Sequence, residues 1–440
     1  MYLSKSLVSG FSLIAFSLAL LFLVLPTFIA AQSIGPIKVE VAFQEGKYLL
    51  LRGGEPYVVK GAGVDNLDLQ RLAAHGGNSI RTWSIDHHAE PAQQLLDRAH
   101  QLGLTVSLGL EIARERHGFD YNDKEAVAEQ LAKTKQHVLR YKDHPALLTW
   151  FIGNELNFNY QNPKVFDAIN DIAKMIKQLD PNHPTTTPLA GFDIRALNEM
   201  DSRTPDLDFV SFQVYASVFA LPQYIEKNGF DKPYFVTEWG SVGHWEVAKT
   251  EWGAPIENTS TEKAENYYNS YFDVLQPQAS KAIGNYVFLW GQKQEKTPTW
   301  YGMFLNSGEE TEAVDVMHFI WNGEWPENRV PSINPIKLNN QSAFDNVKLN
   351  KAQTVNASVE VVDLDQDKIE YQWFIKEEST SKNVGGDKEY LPKTISGLIK
   401  QQDHQIELTA PSKSGAYRLF VYALDGNNNA AHANIPFYVN

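Results

Sequence analysis

The sequence contains no cysteine among its 440 residues. Disulfide bonds, a thiol nucleophile and a lipid attached to cysteine are therefore not expected. Such a chain relies on its hydrophobic core, and a hydrophobic content of 43% over this length suffices for one large and one small domain. Glycine-rich phosphate loops, a Ser-His-Asp order and zinc motifs are also missing. We therefore expect neither a cofactor nor a metal ion.

Positive charge is scarce as well. Lysine and arginine number 39 against 53 aspartates and glutamates, which gives a formal net charge of −14. This excess of negative charge argues against nucleic acid or an anionic membrane surface as a partner. It is compatible with a neutral polymer, and the 10 Trp, 19 Tyr and 23 Phe residues supply rings that could stack on sugars.

Residues 1–31 contain only one charged side chain, that of Lys5. An apolar run over residues 11–25 follows, and then the small pair Ala30-Ala31. The pattern predicts a secretory signal peptide that is cleaved near Ala31, leaving a secreted or periplasmic protein with a net charge of −15 and no membrane contact. The alternative is an uncleaved anchor, because the run is long and Ile29 is a poor residue at the −3 position.

Between residues 57 and 321, short apolar runs alternate with amphipathic helical patterns. This alternation predicts an α/β fold, a parallel (β/α)8 TIM barrel, which we assign to residues 32–328. An N-terminal hairpin over residues 38–52 would cap the barrel floor. The predicted barrel strands are residues 57–64, 79–83, 105–110, 147–152, 185–189, 207–215, 234–238 and 282–290.

The last part of the chain changes character after a junction that contains Pro326 and Pro331. Residues 329–440 show strand-like stretches between turns and no helical periodicity, which predicts a small all-β sandwich of immunoglobulin-like type. Asp363, Asp365 and Asp367 alternate in one of its turns. They could ligate calcium, but a solvated acidic turn explains the pattern too, because no full set of oxygen ligands is visible.

Two of the predicted barrel strands end in the same way. The strand over residues 147–152 is followed by Gly153, Asn154 and Glu155, and the strand that begins at Tyr234 ends in Glu238. The two glutamates are 83 residues apart, which fits three strand–helix units of roughly 25–35 residues each. They would thus lie on the fourth and seventh barrel strands and could face each other across the barrel mouth. Two facing carboxylates are the machinery of glycoside hydrolysis.

With Asn154-Glu155 after the fourth strand and Glu238 after the seventh, the chain resembles the retaining glycoside hydrolases of clan A, a superfamily of (β/α)8 barrels. The resemblance covers roughly residues 35–325. It includes three further residues at the ends of the second, sixth and eighth strands, namely Arg81, Tyr215 and Trp290. A barrel followed by one immunoglobulin-like domain is similar to the secreted bacterial endo-β-1,3-glucanases.

The resemblance implies a double displacement by the two glutamates. Glu155 would be the general acid and then the general base, and Glu238 the nucleophile that forms a glycosyl-enzyme. A raised pKa would keep Glu155 protonated for the first step.

The resemblance also implies supporting roles. Arg81 would hold Glu238 ionised by its charge, and Tyr215 by a hydrogen bond. Asn154 would bond the sugar 2-hydroxyl, and Trp290 would form the floor under the reacting sugar. The residues alone leave other interpretations open, since Arg81 could be a structural ion-pair residue and the two aromatic side chains could belong to the core.

Other side chains follow the strands on the same face. Trp83 and His88 are expected to line the cleft. Asp86 and His87 lie beside His88, and two adjacent histidines lack the spacing of metal ligands. Four aromatic residues in later loops are candidates either for sugar-binding subsites or for packing: Trp245, Trp252, Trp300 and Tyr301.

We therefore predict a retaining β-glycoside hydrolase that cleaves internal linkages of a β-glucan, with β-1,3-glucan as the first choice. Its partner would be the polysaccharide, and the protein would be a monomer. One alternative is a transglycosylase that uses the same glutamates, and another is a hydrolase of mannan or mixed-linkage glucan. A third belongs to another class: a non-catalytic glycan-binding protein with a degenerate barrel.

Overall fold

The computed structural model describes residues 35–64, 68–85, 90–383, 386–400 and 402–440. The predicted signal peptide lies outside these residues, as do Asp86, His87 and His88. Within the described ranges, no helix combines the length and the apolar character needed to cross a membrane.

An antiparallel hairpin opens the described chain. Strands β1 (Val39–Gln44) and β2 (Lys47–Arg52) pair with each other, and the short β3 (Glu55–Pro56) pairs with β2. Val39 and Leu50 pack with Leu148, Phe209 and Ile283 at the amino ends of the barrel strands. The hairpin therefore covers the barrel floor, as predicted.

The next nine strands form one parallel sheet that curls into a nearly closed barrel, which confirms the predicted TIM barrel. Its strands are β4 (Gly61–Val64), β5 (Ser79–Arg81), β6 (Thr105–Leu110), β7 (Leu147–Ile152), β8 (Thr185–Thr186), β9 (Pro188–Ala190), β10 (Val210–Gln213), β11 (Tyr234–Glu238) and β12 (Ala282–Trp290). The spatial order is β8-β7-β6-β5-β4-β12-β11-β10-β9. The predicted fifth strand is divided at Thr187, so that β8 pairs with β7 while β9 pairs with β10.

Helices surround this sheet. They are α1 (Leu69–Ala74), α2 (Ala92–Gln101), α3 (Lys124–Tyr141), α4 (Lys164–Leu179), α5 (Ile194–Arg203), α6 (Leu221–Lys227), α7 (Ser260–Asn269) and α8 (Glu312–Asn322). Each buries one apolar face on the strands, and in α4 that face includes Phe166, Ile169 and Ile176. The helix α7 does not continue as a regular α-helix, because it passes into a π-helical turn over Ser270–Leu275.

The remaining chain is all-β apart from a 3-10 turn at Ala343–Asp345. Its strands are β13 (Ser332–Ile333), β14 (Lys337–Leu338), β15 (Lys348–Leu349), β16 (Thr354–Ser358), β17 (Val361–Val362), β18 (Glu370–Glu377), β19 (Thr394–Ile395), β20 (Gln405–Thr409), β21 (Gly415–Leu424) and β22 (Ala430–Val439). A sheet of order β14-β16-β20 and a sheet of order β15-β22-β21-β18-β19 share one hydrophobic cluster around Trp373 and Leu419. We call this part the C-terminal domain, and its immunoglobulin-like type stays a prediction.

A buried polar network joins the barrel to the C-terminal domain. The Glu257 carboxylate accepts hydrogen bonds from Lys263 Nζ at 2.5 Å and from Asn434 Nδ2 at 2.7 Å. Arg418 donates to the Asn434 side chain at 2.7 Å and to the Pro255 carbonyl at 2.8 Å. Burial alone would raise the pKa of Glu257, but the charges of Lys263 and Arg418, with His432 nearby, outweigh it and lower the pKa to about 2.

We expect Glu257→Gln to lower the free energy of unfolding by about 3 kcal/mol, because it leaves the Lys263 ammonium buried without a counter-charge. The matched control is Glu251→Gln, which removes an exposed ion pair with Lys348 and is expected to cost less than about 1 kcal/mol. Urea unfolding at neutral pH measures both values. Equal losses of unfolding free energy for the two substitutions would contradict a stabilising role of the buried pair of Glu257 and Lys263.

Candidate active site

The two glutamates meet at the carboxyl end of the barrel. Glu238 is the last residue of β11, and Glu155 follows β7 after Gly153 and Asn154. Glu155, Glu238 and Asn154 line one cavity of about 240 Å³, while Gly153 does not. The other lining residues are Trp83, Ser84, Arg114, Tyr215, Trp245, Phe288, Leu289, Lys293, Glu295 and Tyr301 from the barrel, and Gly386 and Asp387 from the C-terminal domain.

Glu238 is buried and surrounded by hydrogen-bond donors. Its Oε1 atom accepts from Arg81 Nη1 at 2.8 Å, from Trp83 Nε1 at 2.7 Å and from Gln213 Nε2 at 2.9 Å. Its Oε2 atom accepts from the Tyr215 hydroxyl at 2.7 Å. A carboxylate with four donors, one of them a guanidinium, is well suited to carry a negative charge in a fixed orientation.

Arg81 connects the two strand ends. The fully buried guanidinium donates to Glu238, to the Thr237 carbonyl at 2.8 Å and to Asn154 Oδ1. Gln213 Nε2 also donates to Asn154 Oδ1, at 2.7 Å. Because both donors occupy the oxygen of the Asn154 amide, its nitrogen is left as a donor for a ligand in the cavity.

The backbone around Glu155 has an unusual conformation. Gly153 has a φ of +71°, and a Cβ atom there would lie 2.5 Å from the Leu156 side chain, so that only glycine fits. Glu155 itself has a φ of +53°, a left-handed conformation that a non-glycine residue keeps only where the surrounding structure holds it. Its N–H group donates to the Pro188 carbonyl at 2.9 Å and thereby fixes the turn.

The environment of Glu155 differs from that of Glu238. Burial raises the pKa of the Glu155 carboxyl, and the negative charge of Glu238 raises it further, while Arg114 and Arg81 act in the opposite direction; the result is a pKa of about 7. No hydrogen bond joins this carboxyl to another side chain in the described part of the protein. A carboxyl of this kind holds a proton in a large fraction of molecules at neutral pH and can donate it.

Most of the predicted supporting residues lie where the sequence placed them. Arg81, Trp83 and Tyr215 contact Glu238, and Asn154 lines the cavity. Trp245 and Tyr301 line it too. Trp300 does not, since it is buried and donates to the Val242 carbonyl at 2.9 Å. His88 lies outside the described residues.

The structure corrects the prediction for Trp290. This side chain does not line the cavity of Glu155 and Glu238, packs against Phe304 and Trp321, and donates from Nε1 to the Asp68 carbonyl at 3.3 Å. The pairing of β12 with β4 shifts register between Val287 and Trp290, so the regular alternation of faces is lost there. Phe288 and Leu289 line the cavity instead.

Several residues of the site were not found from the sequence. Gln213 stands two positions before Tyr215, and the period of two in a strand could have indicated it. Arg114, Lys293 and Glu295 lie in loops, where no periodicity applies. Asp387 comes from the C-terminal domain and receives two hydrogen bonds from Arg116, at 2.9 and 3.2 Å.

The three aspartates that the sequence offered as calcium ligands, Asp363, Asp365 and Asp367, do not all lie together in the C-terminal domain. Ligand atoms of Asp363, Asp367 and Asp425 lie within 4.8 Å of one another. Asp365 is not in this group and accepts a hydrogen bond from the Arg329 N–H group at 2.7 Å. Asp367 also accepts hydrogen bonds from asparagine side chains, so the turn has partners within the protein.

Comparison with known proteins identifies the barrel. The family described as "Glycosyl hydrolases family 2, TIM barrel domain" matches residues 61–306, more than half of the chain. The chain belongs to this family. The predicted clan-A type of glycoside hydrolase is thereby confirmed at the level of the barrel, while the narrower resemblance to endo-β-1,3-glucanases stays a prediction.

This family 2 barrel is similar to proteins with different described activities. A β-glucuronidase of Paenibacillus borealis is 26% identical over 306 residues, covering 61% of this chain and 48% of the relative. A probable mannan endo-1,4-β-mannosidase A-1 of Aspergillus terreus is 25% identical over 193 residues, covering 38% of this chain and 50% of the relative. The chain thus spans about half the length of the curated relatives it matches.

A solved structure shows the same fold. Bacteroides uniformis β-glucuronidase 2, with cyclophellitol-6-carboxylate aziridine covalently bound, superimposes with a TM-score of 0.51 over 91% of this chain and 48% of that chain. The sequence identity is 13%, so the likeness concerns the fold alone.

The charge of Glu238 raises the pKa of Glu155, so Glu238→Gln is expected to lower it from about 7 toward the ordinary range of a glutamate. An NMR titration of 13C-labelled glutamate carboxyl groups measures this without a substrate. The exposed substitution Glu251→Gln is the control and should leave the titration unchanged. An identical Glu155 titration in Glu238→Gln and the unmodified protein would refute the electrostatic coupling.

Proposed function

We propose that this protein is a retaining β-glycoside hydrolase. The observation that carries the proposal is the opposite environment of two carboxyl groups in one cavity. Glu238 is surrounded by donors that suit a charged nucleophile, while Glu155 has a pKa of about 7, which suits a proton donor.

The reaction proceeds in two displacements. In the first, a Glu238 carboxylate oxygen attacks the anomeric carbon while Glu155 transfers its proton to the glycosidic oxygen, so that the bond to the leaving sugar breaks and a glycosyl ester forms. In the second, the Glu155 carboxylate takes a proton from water, whose oxygen attacks the same carbon and releases Glu238.

The residues around Glu238 orient the nucleophile. Arg81, Trp83 and Gln213 all donate to Oε1 of Glu238. Oε2 accepts a hydrogen bond from Tyr215 alone among the described residues. The Asn154 amide nitrogen donates to the 2-hydroxyl of the reacting sugar, a contact that strengthens in the transition state.

For the substrate, we propose internal cleavage of a β-glucan by an exported protein, with β-1,3-glucan as the first candidate. The support is the sequence resemblance to endo-β-1,3-glucanases and the N-terminal pattern of a signal peptide. Mannan stands beside it, since a similar protein is described as a probable mannan endo-1,4-β-mannosidase. Because a β-glucuronidase is similar over more of the chain, uronic acid linkages belong in the test as well.

The two remaining alternatives make different demands on the site. A transglycosylase would use the same pair of glutamates and replace water by a sugar acceptor. A non-catalytic binding protein would not need the complete set of donors around Glu238, and that set argues for catalysis.

The test is a time course of products from β-1,3-glucan, mixed-linkage glucan, mannan, xylan and an aryl β-glucuronide. We expect a ladder of short oligosaccharides from one β-linked polymer, and its identity fixes the linkage. Products longer than the starting oligosaccharide would indicate transglycosylation. Absence of turnover on the entire panel would contradict the proposed activity.

Two substitutions separate the roles of the glutamates. Glu155→Gln should lower kcat/KM for the polymer by about 10²–10⁴-fold, and much less for a dinitrophenyl glycoside, because kcat/KM reports the first displacement and this leaving group needs no proton. Glu238→Gln should abolish turnover of both substrates, because no nucleophile remains. Glu251→Gln is the matched control and should retain full activity. Equal losses on both substrates for Glu155→Gln would contradict its role as the acid.

A further inference from the structure

A second cavity lies beside the catalytic one, at the junction of the two domains. It has a volume of about 690 Å³ and is lined by the loop between β11 and α7 and by two segments of the C-terminal domain, residues 377–383 and 413–417. We call it the junction cavity. Trp245 lines both cavities and keeps 53% of its surface exposed. The two spaces are therefore neighbours that share an aromatic wall.

The junction cavity is locally basic, in contrast to the chain as a whole. Four lysines line it, namely Lys249, Lys296, Lys382 and Lys413, against the two glutamates Glu377 and Glu378. Glu378 is neutralised by Arg418 at 2.8 Å, and Lys296 lies 3.2 Å from Glu389. The other three lysines and Glu377 form no ion pair with any residue in the described ranges, so the lining keeps an excess of two positive charges that is available to a ligand.

The remaining lining groups suit a saccharide. Trp245 and Trp252 offer aromatic faces, and Ser379, Ser381 and Asn383 offer groups that can donate and accept hydrogen bonds. Aromatic faces with a few convergent polar groups are typical of small-ligand sites. Ammonium groups without counter-charges add a preference for carboxylate or sulfate groups.

We propose that the junction cavity binds anionic sugar residues, carboxylated or sulfated, of the same glycan chain that is cleaved in the catalytic cavity. Trp245 is the shared wall along which the chain passes from one cavity to the other. The C-terminal domain is then a part of the substrate-binding site. This inference rests on the proposed function for the cleavage, but the binding can be measured without turnover.

The experiment uses the full chain with Glu238→Gln, so that ligands are bound and not consumed. Isothermal titration compares three hexasaccharides on one backbone: neutral β-1,3-glucan, its 6-carboxylated derivative and its sulfated derivative. We expect one of the two acidic ligands to bind about tenfold more tightly than the neutral one at low salt, and this preference to shrink at high salt. The two acidic arms decide between carboxylate and sulfate.

The lysines are tested by the double substitution Lys249→Ala/Lys413→Ala in the same background. It should weaken binding of the preferred acidic ligand about tenfold and leave binding of the neutral ligand unchanged. Lys351→Ala is the matched control, because this lysine is exposed, forms no ion pair with a described residue and lies away from both cavities. It should change neither affinity.

Equal affinity for neutral and acidic ligands, no binding of either acidic ligand, or no effect of the double substitution would overturn the proposal. These outcomes are distinct from a failure of the proposed function. Turnover of a neutral polymer, combined with equal affinity for the neutral and acidic hexasaccharides, would leave the hydrolase and remove the acidic site. Lysine-dependent binding without turnover of any polymer would leave the acidic site and remove the hydrolase.

Discussion

The carboxyl end of this barrel, where Glu155 and Glu238 lie, depends on one buried cation, the guanidinium of Arg81. A charge without exposure to water needs partners, and this one finds the Glu238 carboxylate, the Thr237 carbonyl and the Asn154 amide. These groups stand at the ends of strands that are far apart in the sequence. The ion pair thus fixes the distance between strand ends and the direction of the Glu238 carboxylate at the same time.

The pKa of the second carboxyl, that of Glu155, is set by burial and by nearby charges and not by hydrogen bonds from the described side chains. Glu155 lacks the donors that Glu238 has, and burial beside another negative charge raises its pKa to about 7. The left-handed backbone at Gly153 and Glu155 holds it at the cavity. One barrel mouth can therefore contain a charged carboxylate and a protonated carboxyl, which is the division of roles that a double displacement needs.

Sequence reasoning found the parts of the site that a regular strand pattern specifies. Glu155 and Glu238 follow buried strands, and parallel strands bring such positions to one end of a barrel. The pattern failed at Trp290, where a register shift changes the direction of the side chain. It could not indicate Asp387, which meets Arg116 across 271 positions of the chain, since nothing local in either segment points to the other. The junction cavity could not be predicted either, because its lysines come from separate segments of a chain whose overall charge is −14.

The most direct test of the account is to trap the covalent intermediate. The protein is incubated with a 2-deoxy-2-fluoro glycosyl fluoride of the sugar that it releases, and the labelled peptide is identified by mass spectrometry. The account predicts one glycosyl group per chain, attached to Glu238, and no label in Glu238→Gln. A label on Glu155, or continued turnover of substrate without any covalent species, would contradict it.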